Sequence, residues 1–442
     1  MSPGFAIQTA TEHEMELALP FGPRRITFDA PFQPDNIAIA RRAPQPPPGD
    51  WAALTLHALD TPVGAGLLSK MRMAGETLAI VVDASLPAHK ILPSIFAKLE
   101  DAGARDESIV VVAAFGNEPR TPSALRELLG TDTLARCKCV WHDPFSPETD
   151  FHGFSTLGTP IAINSLAARA GFRLGIGIVQ PHASRGYSGG DDIILPGAAA
   201  FESAARSMSL AFSYNSTYGR MQDNPCRLDL ENVGTTVGLD YVINYVSRID
   251  GQPAAAFAGN PIKVHRAAVS FGDRAIWGAE LGGQADAAIA SPGNDWAGGA
   301  AFDPRSIDYV ASGVKMQGSI VYLAEKGPLP QPEEEWEREL NARPIAELAA
   351  AFEKRNWPHD THQIAAKLEA VVRAWIARRP FFYRHVILVG SDLPELTLEL
   401  LNAEQVDSMN EAMQRLHELY GANAGVALVP EAQTTLCLAE FH

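Results

Sequence analysis

The chain has 442 residues, of which 46% are hydrophobic and 20% charged, so it is long enough for two packed domains and too apolar to be disordered. A formal net charge of −16 argues against nucleic-acid binding, which depends on clustered Lys and Arg, but a local arginine could still bind a small anionic substrate. Four cysteines are too few for a disulfide framework in a chain of this length. Neither a leader segment nor a bilayer-spanning apolar run is present, which predicts a cytoplasmic protein.

The predicted elements begin with short strands separated by proline-rich loops, of which APQPPPG at residues 43–49 is the clearest linker. From Leu78 strands and helices alternate: LAIVVDA predicts a buried strand, ILPSIFAKLEDAG an amphipathic helix and SIVVVAAFG the next strand. The thiols of Cys137 and Cys139 in a CKC pair could bind a soft metal, but we interpret them as lying on opposite faces of a strand. Another apolar strand is predicted at Leu174–Val179.

A second set of elements begins after Ala267. Its predicted strands are Ala285–Ser291, Ser319–Ala324 and His385–Val389, and its predicted helices are Pro344–Lys354 and Gln363–Arg378. Strands that alternate with helices are typical of a parallel sheet covered by helices. We predict an α/β protein of two domains, residues 1–270 and 271–442, each with a mainly parallel sheet flanked by helices. The active site is expected in the interdomain cleft.

The stretch PHASRGYSGGDDIILPG at residues 181–197 carries the densest set of candidate functional groups. It joins His182, a glycine-serine turn and two adjacent aspartates directly after a predicted strand. Open α/β sheets bind small molecules at the carboxyl ends of their strands. Gly189 and Gly190 would let the backbone approach a cofactor phosphate or a substrate carboxylate, although a tight turn alone would also require glycine.

This stretch resembles the nickel-dependent lactate racemase family, in which a histidine precedes a G-[FY]-S-G-G turn and an I-L-P-G run. Other segments resemble the family in the same order along the chain: PFGPRRITFD near Pro20, LDTPVGAGLLSKM from Leu59, VVDASLP from Val81, LGTPIAINSLAARA from Leu157, GLDYVINYV from Gly238 and AGNPIKVHRAA from Ala258. The resemblance implies a racemase or epimerase that moves a hydride between a 2-hydroxy acid and a nickel pincer nucleotide, while histidines transfer the hydroxyl proton.

The resemblance also implies roles for particular residues. His182 stands at a proton-transfer histidine and is the expected base, since imidazole titrates near neutrality. Glu118 stands at a second family histidine and is its counterpart on the opposite face of the substrate. Asp83 is a polar wall residue, whereas Leu86 replaces a family arginine. Arg305 lies near a family lysine and would clamp the substrate carboxylate.

For the cofactor, the resemblance implies contacts from Tyr187, Ser188, Gly189, Gly190 and Asp192. Asp192 stands at the lysine that tethers the cofactor, and a carboxylate cannot replace an amine in that bond. Met208 stands at the nickel-ligating histidine, where a thioether is a weak ligand and core packing is the other interpretation. Asp191 is a further candidate metal ligand. We therefore predict a nickel pincer nucleotide held without a covalent tether.

Two alternatives remain open. A hard divalent cation, Mg²⁺ or Mn²⁺, at Asp191, Asp192 and Glu118 would support an isomerase or hydro-lyase that acts on a hydroxy acid. A catalytically silent descendant would bind the acid without turnover. All three hypotheses predict that the protein binds a small hydroxy acid and binds neither nucleic acid nor a membrane. They leave open self-association into a homo-oligomer. His142 with Asp143, and the group His359, Asp360 and His362, fit both a ligand-binding and a structural interpretation.

Overall fold

The computed structural model describes residues 9–10, 14–114, 121–329, 335–345, 347–348, 350 and 361–442, which form two compact units. Unit 1 combines the described residues before Pro44 with those of 277–350 and 366–441. Unit 2 is the continuous segment Pro44–Ile276, joined by residues 361–365 and His442. The sequence prediction placed the domain boundary between residues 270 and 271; by their contacts, the described residues before Pro44 group with unit 1.

The strands and helices are numbered in chain order. The strands are β1 Thr9–Ala10, β2 Glu14–Phe21, β3 Arg24–Ala30, β4 Ile37–Ile39, β5 Leu78–Val82, β6 Ile109–Ala113, β7 Lys138–Trp141, β8 Thr149–Phe154, β9 Pro160–Asn164, β10 Phe172–Val179, β11 Pro181–His182, β12 Gly186–Tyr187, β13 Tyr241–Ser247, β14 Pro253–Gly259, β15 Gly278–Glu280, β16 Ala285–Ala290, β17 Val314–Leu323, β18 His385–Val389, β19 Ala403–Val406, β20 Val426–Val429 and β21 Leu436–Leu438. The helices are α1 Trp51–Asp60, α2 Ala88–Asp101, α3 Pro122–Leu129, α4 Thr131–Arg136, α5 Ser165–Ala168, α6 Phe201–Met208, α7 Pro225–Val237, α8 Pro261–Ala275, α9 Pro304–Ala311, α10 Glu335–Asn341, α11 Thr361–Tyr383, α12 Glu395–Leu401 and α13 Met409–Tyr420.

Unit 2 is built on a six-stranded sheet with the order β14-β13-β10-β5-β6-β7. Its neighbouring strands pair in parallel except for β13 and β14, which are antiparallel. The sequence LAIVV of β5 is buried on both faces, as expected for a central parallel strand. On one face Leu78, Ile80 and Val82 pack into a cluster with apolar residues of α2; on the other, Ala79 and Val81 join a second cluster. The sheet is thus covered on both sides.

Unit 1 repeats this architecture on a second six-stranded sheet, with the order β19-β18-β17-β16-β20-β4 and parallel pairing throughout. Alternate residues of β16 and β17 face two separate apolar clusters, so this sheet is also covered on both faces. The prediction of an α/β fold with two mainly parallel, helix-flanked sheets is confirmed. The predicted strands of this half correspond to β16, β17 and β18, and α11 contains the predicted helix Gln363–Arg378. The helix predicted at Pro344–Lys354 lies partly outside the described residues.

The cysteine pair of the CKC sequence lies at the edge strand β7. The prediction that Cys137 and Cys139 lie on opposite faces is wrong, because residues two apart in an extended chain point to the same side. Their sulfur atoms are 3.9 Å apart. Among the described helices, none combines the length and hydropathy needed to cross a bilayer.

Unit 1 contains a buried ion pair that joins α9 to α11. A nitrogen of Arg379 lies 2.5 Å from a carboxylate oxygen of Asp308, and both side chains are 4% exposed. Burial raises the pKa of Asp308, and the Arg379 charge opposes that rise. A buried carboxylate without its cation is much more costly than the intact pair, so the two residues depend on each other.

We predict that Arg379→Met lowers the free energy of unfolding by about 3–5 kcal/mol, because it leaves Asp308 buried and unpaired. Arg373→Met on the same helix is the matched control, since Arg373 is 59% exposed and pairs with Glu337 at the surface. The control should change stability by less than about 1 kcal/mol. Chemical denaturation of both variants measures the difference, and equal losses would contradict the assignment.

Candidate active site

The strand order of unit 2 creates a switch point between β5 and β10. From β5 the chain adds β6 and β7 on one side of the sheet and β10 and β13 on the other. Open α/β sheets bind ligands at the carboxyl ends of the strands at such a point. Asp83 directly follows β5, and His182 lies three residues after the end of β10. The two predicted residues therefore emerge from adjacent strands at the same edge of the sheet.

His182 is oriented by the backbone that follows it. Its Nδ1 accepts hydrogen bonds from the backbone N–H groups of Ser184 and Arg185, at 3.2 and 3.3 Å. A nitrogen that accepts two N–H donors cannot carry a proton itself, so the neutral ring carries its proton on Nε2. In this arrangement His182 is a hydrogen-bond donor at Nε2, and action as a base at that atom would require Nδ1 to release both backbone donors.

The glycine turn after His182 is closed by contacts within the protein. Gly189 and Gly190 have φ of +86° and +66°, which favour glycine. A Cβ on Gly190 would come within 3.2 Å of the side chain of His265. The Gly189 amide donates to Asp192 at 3.1 Å, and the Gly190 amide donates to Asn244 at 2.9 Å. Both predicted cofactor-binding amides thus donate within the protein, one to the turn itself and one to β13.

The side chains of Tyr187 and Ser188, which directly precede these glycines, also hold the turn. Tyr187 is fully buried, and its hydroxyl donates to Asp273 at 2.6 Å. The hydroxyl of Ser188 donates to the carbonyl of Ile178, the penultimate residue of β10, at 2.8 Å. Both residues, predicted from the resemblance to contact a cofactor, therefore anchor the turn to the sheet and to α8.

Arg227 on α7 is the cation around which the turn is built. It is fully buried and donates to the carbonyl oxygens of Tyr187 and Gly189, the latter at 3.1 Å. Asp192 lies between Arg227 and Arg185, with nitrogen–oxygen distances of 3.4 and 3.1 Å. The carboxylate of Asp192 is therefore neutralised by two guanidinium groups.

Asp191 points away from this pair and into the protein. It is 2% exposed, one of its carboxylate oxygens has no hydrogen-bond partner among the described residues, and a Cβ on Gly234 would lie 1.8 Å from its other oxygen. Burial raises the pKa of Asp191 to about 7, with Arg227 opposing the rise and Glu231 adding to it. Glycine at position 234 thus makes room for a carboxyl group that titrates near neutrality.

His265 supports the turn from α8. Its Nε2 donates to the carbonyl of Ser188 at 3.0 Å, and its Nδ1 accepts from Arg266 at 2.9 Å. Burial, together with the charges of Arg227 and Arg266, lowers the pKa of His265 well below its ordinary value. The ring is therefore neutral at physiological pH and acts as a fixed spacer between the turn and the helix.

Sequence reasoning did not identify Arg227, Asn244, Glu231 or His265 as parts of this network. Two of them had a signal, because Asn244 lies in GLDYVINYV and His265 in AGNPIKVHRAA, segments already recognised as similar to the family. Arg227 lies 35 to 40 residues from its partners in the turn, and nothing local to it indicates burial.

Comparison with known proteins supports the family relationship. Residues 23–219 match the model of the lactate racemase N-terminal domain. Lactate racemases from Thermoanaerobacterium thermosaccharolyticum and Lactiplantibacillus plantarum are 22% and 25% identical over 58% and 48% of this chain. These matches span 62% and 52% of the relatives' own lengths.

The fold comparison extends over nearly the whole chain. The lactate racemase apoprotein from T. thermosaccharolyticum superposes with a TM-score of 0.67 and 19% identity, covering 96% of this chain and 99% of the other. A protein from Thermotoga maritima superposes with a TM-score of 0.51 and 15% identity, covering 89% and 99%. The chain is therefore similar in sequence to lactate racemases, including the N-terminal domain model over residues 23–219, and in fold to a lactate racemase apoprotein over nearly its whole length.

The described residues do not fit the covalent form of the family's cofactor. Asp192, at the expected tether, has no amine, and its carboxylate is committed to Arg185 and Arg227. Met208, at the expected nickel ligand, is the half-buried last residue of α6. Leu86, in place of the family arginine, is 2% exposed and packs in the apolar core. The side chains at these three positions thus pack or form ion pairs inside the protein.

The remaining predicted residues have separate locations. Arg305 lies in unit 1 at the start of α9, exposed, with its nearest charge partner at Asp303. His142 is buried and donates through Nε2 to the carbonyl of Ala199 at 2.9 Å, which fits its structural interpretation. Glu118 lies outside the described residues, as do His359, Asp360 and the side chain of His362. Across the part of the chain that is described, no group of three or more His, Cys, Asp or Glu residues could hold a metal ion.

We predict a pH-dependent stability difference between the wild type and Asp191→Asn. The folded protein binds a proton at Asp191 up to about pH 7, whereas the unfolded chain releases it near pH 4. Wild-type stability should therefore fall as pH rises through this window, and the neutral amide should remove that loss, gaining up to roughly 1 kcal/mol per pH unit. Thermal unfolding between about pH 5 and pH 8 measures the effect.

The exposed carboxylate of Asp132 on α4 provides the control for this experiment. Asp132→Asn should follow the wild-type pH profile. Parallel profiles for Asp191→Asn and the wild type would show that the buried carboxyl does not titrate in this window.

Proposed function

We propose that this protein is a racemase or epimerase that acts on a small 2-hydroxy carboxylic acid at the carboxyl edge of the unit 2 sheet. The observation that carries the proposal is the placement of His182 at the β5–β10 switch point within a lactate racemase-like domain. A protonated imidazole nitrogen at this edge suits a substrate that has a hydroxyl group next to a carboxylate, because both groups accept hydrogen bonds.

His182 handles the proton of the substrate hydroxyl in this proposal. Its ring is held by two backbone donors at Nδ1, so the Nε2–H donates to the substrate oxygen in the resting tautomer. Removal of the hydroxyl proton by Nε2 requires the opposite tautomer, and loss of the Ser184 and Arg185 contacts would accompany it. Proton transfer and rearrangement of the following turn are therefore coupled in the proposed reaction.

Two further residues take part in the proposal. The resemblance assigns Glu118 as the counterpart of His182 in proton transfer. Asp83 contributes a polar wall, with one carboxylate oxygen already accepting from the backbone and hydroxyl of Ser85 at 2.9 and 2.7 Å. That internal turn fixes the Asp83 side chain, as a wall residue requires.

The family's nickel pincer nucleotide enters the proposal only in a non-covalent form. When bound, such a group would supply hydride-transfer chemistry. Asp192 has no amine with which to form a covalent bond, and its carboxylate is paired with two arginines. The hydroxyls of Tyr187 and Ser188 donate to other groups of the protein. The residues of this chain are therefore assigned to substrate binding and proton transfer.

A second candidate function is binding of the hydroxy acid without turnover. The contacts of the glycine turn favour it, because the amides of Gly189 and Gly190 donate within the protein, to Asp192 and Asn244 respectively. A pure binding protein should be stabilised by the acid, as binding to the native state requires, with no change in the ligand's configuration. Chiral chromatography of the recovered ligand separates the two functions.

We predict that His182→Asn and His182→Ala each lower racemisation by roughly two to four orders of magnitude, as loss of a proton-transfer group does. The asparagine oxygen can replace Nδ1 as acceptor for the two backbone amides, so His182→Asn should keep the wild-type melting temperature while His182→Ala loses part of it. The assay follows D- and L-lactate deuterated at C2, by chiral chromatography and mass spectrometry. Wild-type rates in His182→Asn would remove His182 from the mechanism.

We predict that the intact mass of the denatured protein equals that of the bare polypeptide, even after expression together with the machinery that makes the nickel cofactor. The reason is that Asp192 cannot form the tether. Elemental analysis of the native sample provides the companion measurement, and nickel that is lost on denaturation is the expected result for an untethered group. A covalent nucleotide adduct would contradict the assignment of Asp192.

A further inference from the structure

The dithiol of Cys137 and Cys139 lies away from the site described above. Cys137 directly follows α4, and Cys139 is the second residue of β7, the edge strand of the unit 2 sheet. In the sheet order, β6 and β5 separate β7 from β10. The pair therefore offers a chemistry that the proposed racemase reaction does not use.

The two sulfur atoms form one compact group. They are 3.9 Å apart, and the carbonyl of Thr133 in α4 lies 3.6 Å from the Cys137 sulfur and 3.8 Å from the Cys139 sulfur. The hydrogen bond between the thiols raises the pKa of Cys137 and lowers that of Cys139. One thiol thus stabilises the thiolate of the other, and a thiolate is the form that attacks disulfides.

Accessibility distinguishes this pair from the other cysteines. Cys137 and Cys139 are half-buried, whereas Cys226 and Cys437 are buried, with pKa values raised by burial. Thiol reactivity requires both ionisation and access. The CKC pair is therefore the reactive dithiol among the four cysteines of the chain.

We propose that Cys137 and Cys139 form a reversible intrachain disulfide on exposure to a low-molecular-weight disulfide. Two residues apart in a strand, their Cα atoms are separated by about 6.6 Å, near the upper limit of roughly 6.8 Å for a disulfide. The sulfurs must approach from 3.9 Å to about 2.05 Å, which side-chain rotation on one face of an edge strand allows. A bridge at this limit is strained and easily reduced, as in regulatory disulfides.

The reaction proceeds by two exchange steps. The Cys139 thiolate attacks glutathione disulfide, forms a mixed disulfide and releases one glutathione thiolate. Cys137 then attacks the Cys139 sulfur, forms the internal S–S bond and releases the second glutathione. The two protein thiols lose two hydrogens and are oxidised, and the glutathione disulfide is reduced to two thiols.

The test exposes the reduced, folded, full-length protein to glutathione disulfide, followed by acid quenching, alkylation of the remaining thiols and peptide mass mapping. The wild type should lose two hydrogens in the peptide that contains residues 137–139 and retain no glutathione there. Cys137→Ser and Cys139→Ser should each retain one glutathione on the remaining cysteine, because the resolving thiol is missing. Lys138→Ala, which keeps both thiols, is the matched control and should close as the wild type does.

Internal controls come from Cys226 and Cys437, which should react with the alkylating reagent only after denaturation. Stable glutathione on Cys137 or Cys139 of the wild type would overturn the proposal, since the second thiol would then fail to resolve the first. Unreacted thiols at both positions in the wild type and in both serine variants would also overturn it. Dithiothreitol should restore the two lost hydrogens in the closed form.

Discussion

The turn that follows β10 in unit 2 depends on one buried guanidinium group, that of Arg227. Arg227 has no exposed side-chain area, and a buried charge is tolerated only when its hydrogen bonds and its counter-charge are supplied by the protein. Both requirements are met by the turn that follows β10, through the carbonyls of Tyr187 and Gly189 and the carboxylate of Asp192. The turn therefore has one arrangement in which the arginine is neutralised, and that arrangement also sets where His182 lies.

This dependence gives the residue at position 192 a structural meaning. A lysine there would face two guanidinium groups, Arg185 and Arg227, in a partly buried setting, and three like charges within hydrogen-bonding distance would repel one another. Aspartate and the two arginines form a matched set. In this chain, a lysine at position 192 would therefore require further changes at Arg185 or Arg227 to avoid this repulsion.

The sequence was sufficient for features that depend on local pattern. Runs such as LAIVV and IVVVA predicted central strands, because continuous β-branched runs are typical of parallel strands buried on both faces. The glycine turn was recognised from glycines, the residues that favour positive φ. It was insufficient where burial arises from distant partners, as for Arg227 and His265, whose contacts are supplied by other elements. The error over Cys137 and Cys139 had a simpler cause, since a spacing of two in a strand means one face. The tautomer of His182 depends on backbone donors, which composition does not reveal.

The pairing of β4 with β20 has a consequence for how the chain acquires its fold. These strands pair in parallel although they are far apart in the sequence, with Ile37 opposite Val426, and the segment Pro44–Ile276, which forms most of unit 2, lies between them. During synthesis, unit 2 can close its sheet as soon as Ile276 has emerged, because every strand of that sheet is already made. The apolar hairpin of β2 and β3 and the strand β4 must wait for residues made hundreds of positions later. For that interval the nascent chain carries an unpaired strand and an uncovered apolar face, which is the state that chaperones recognise.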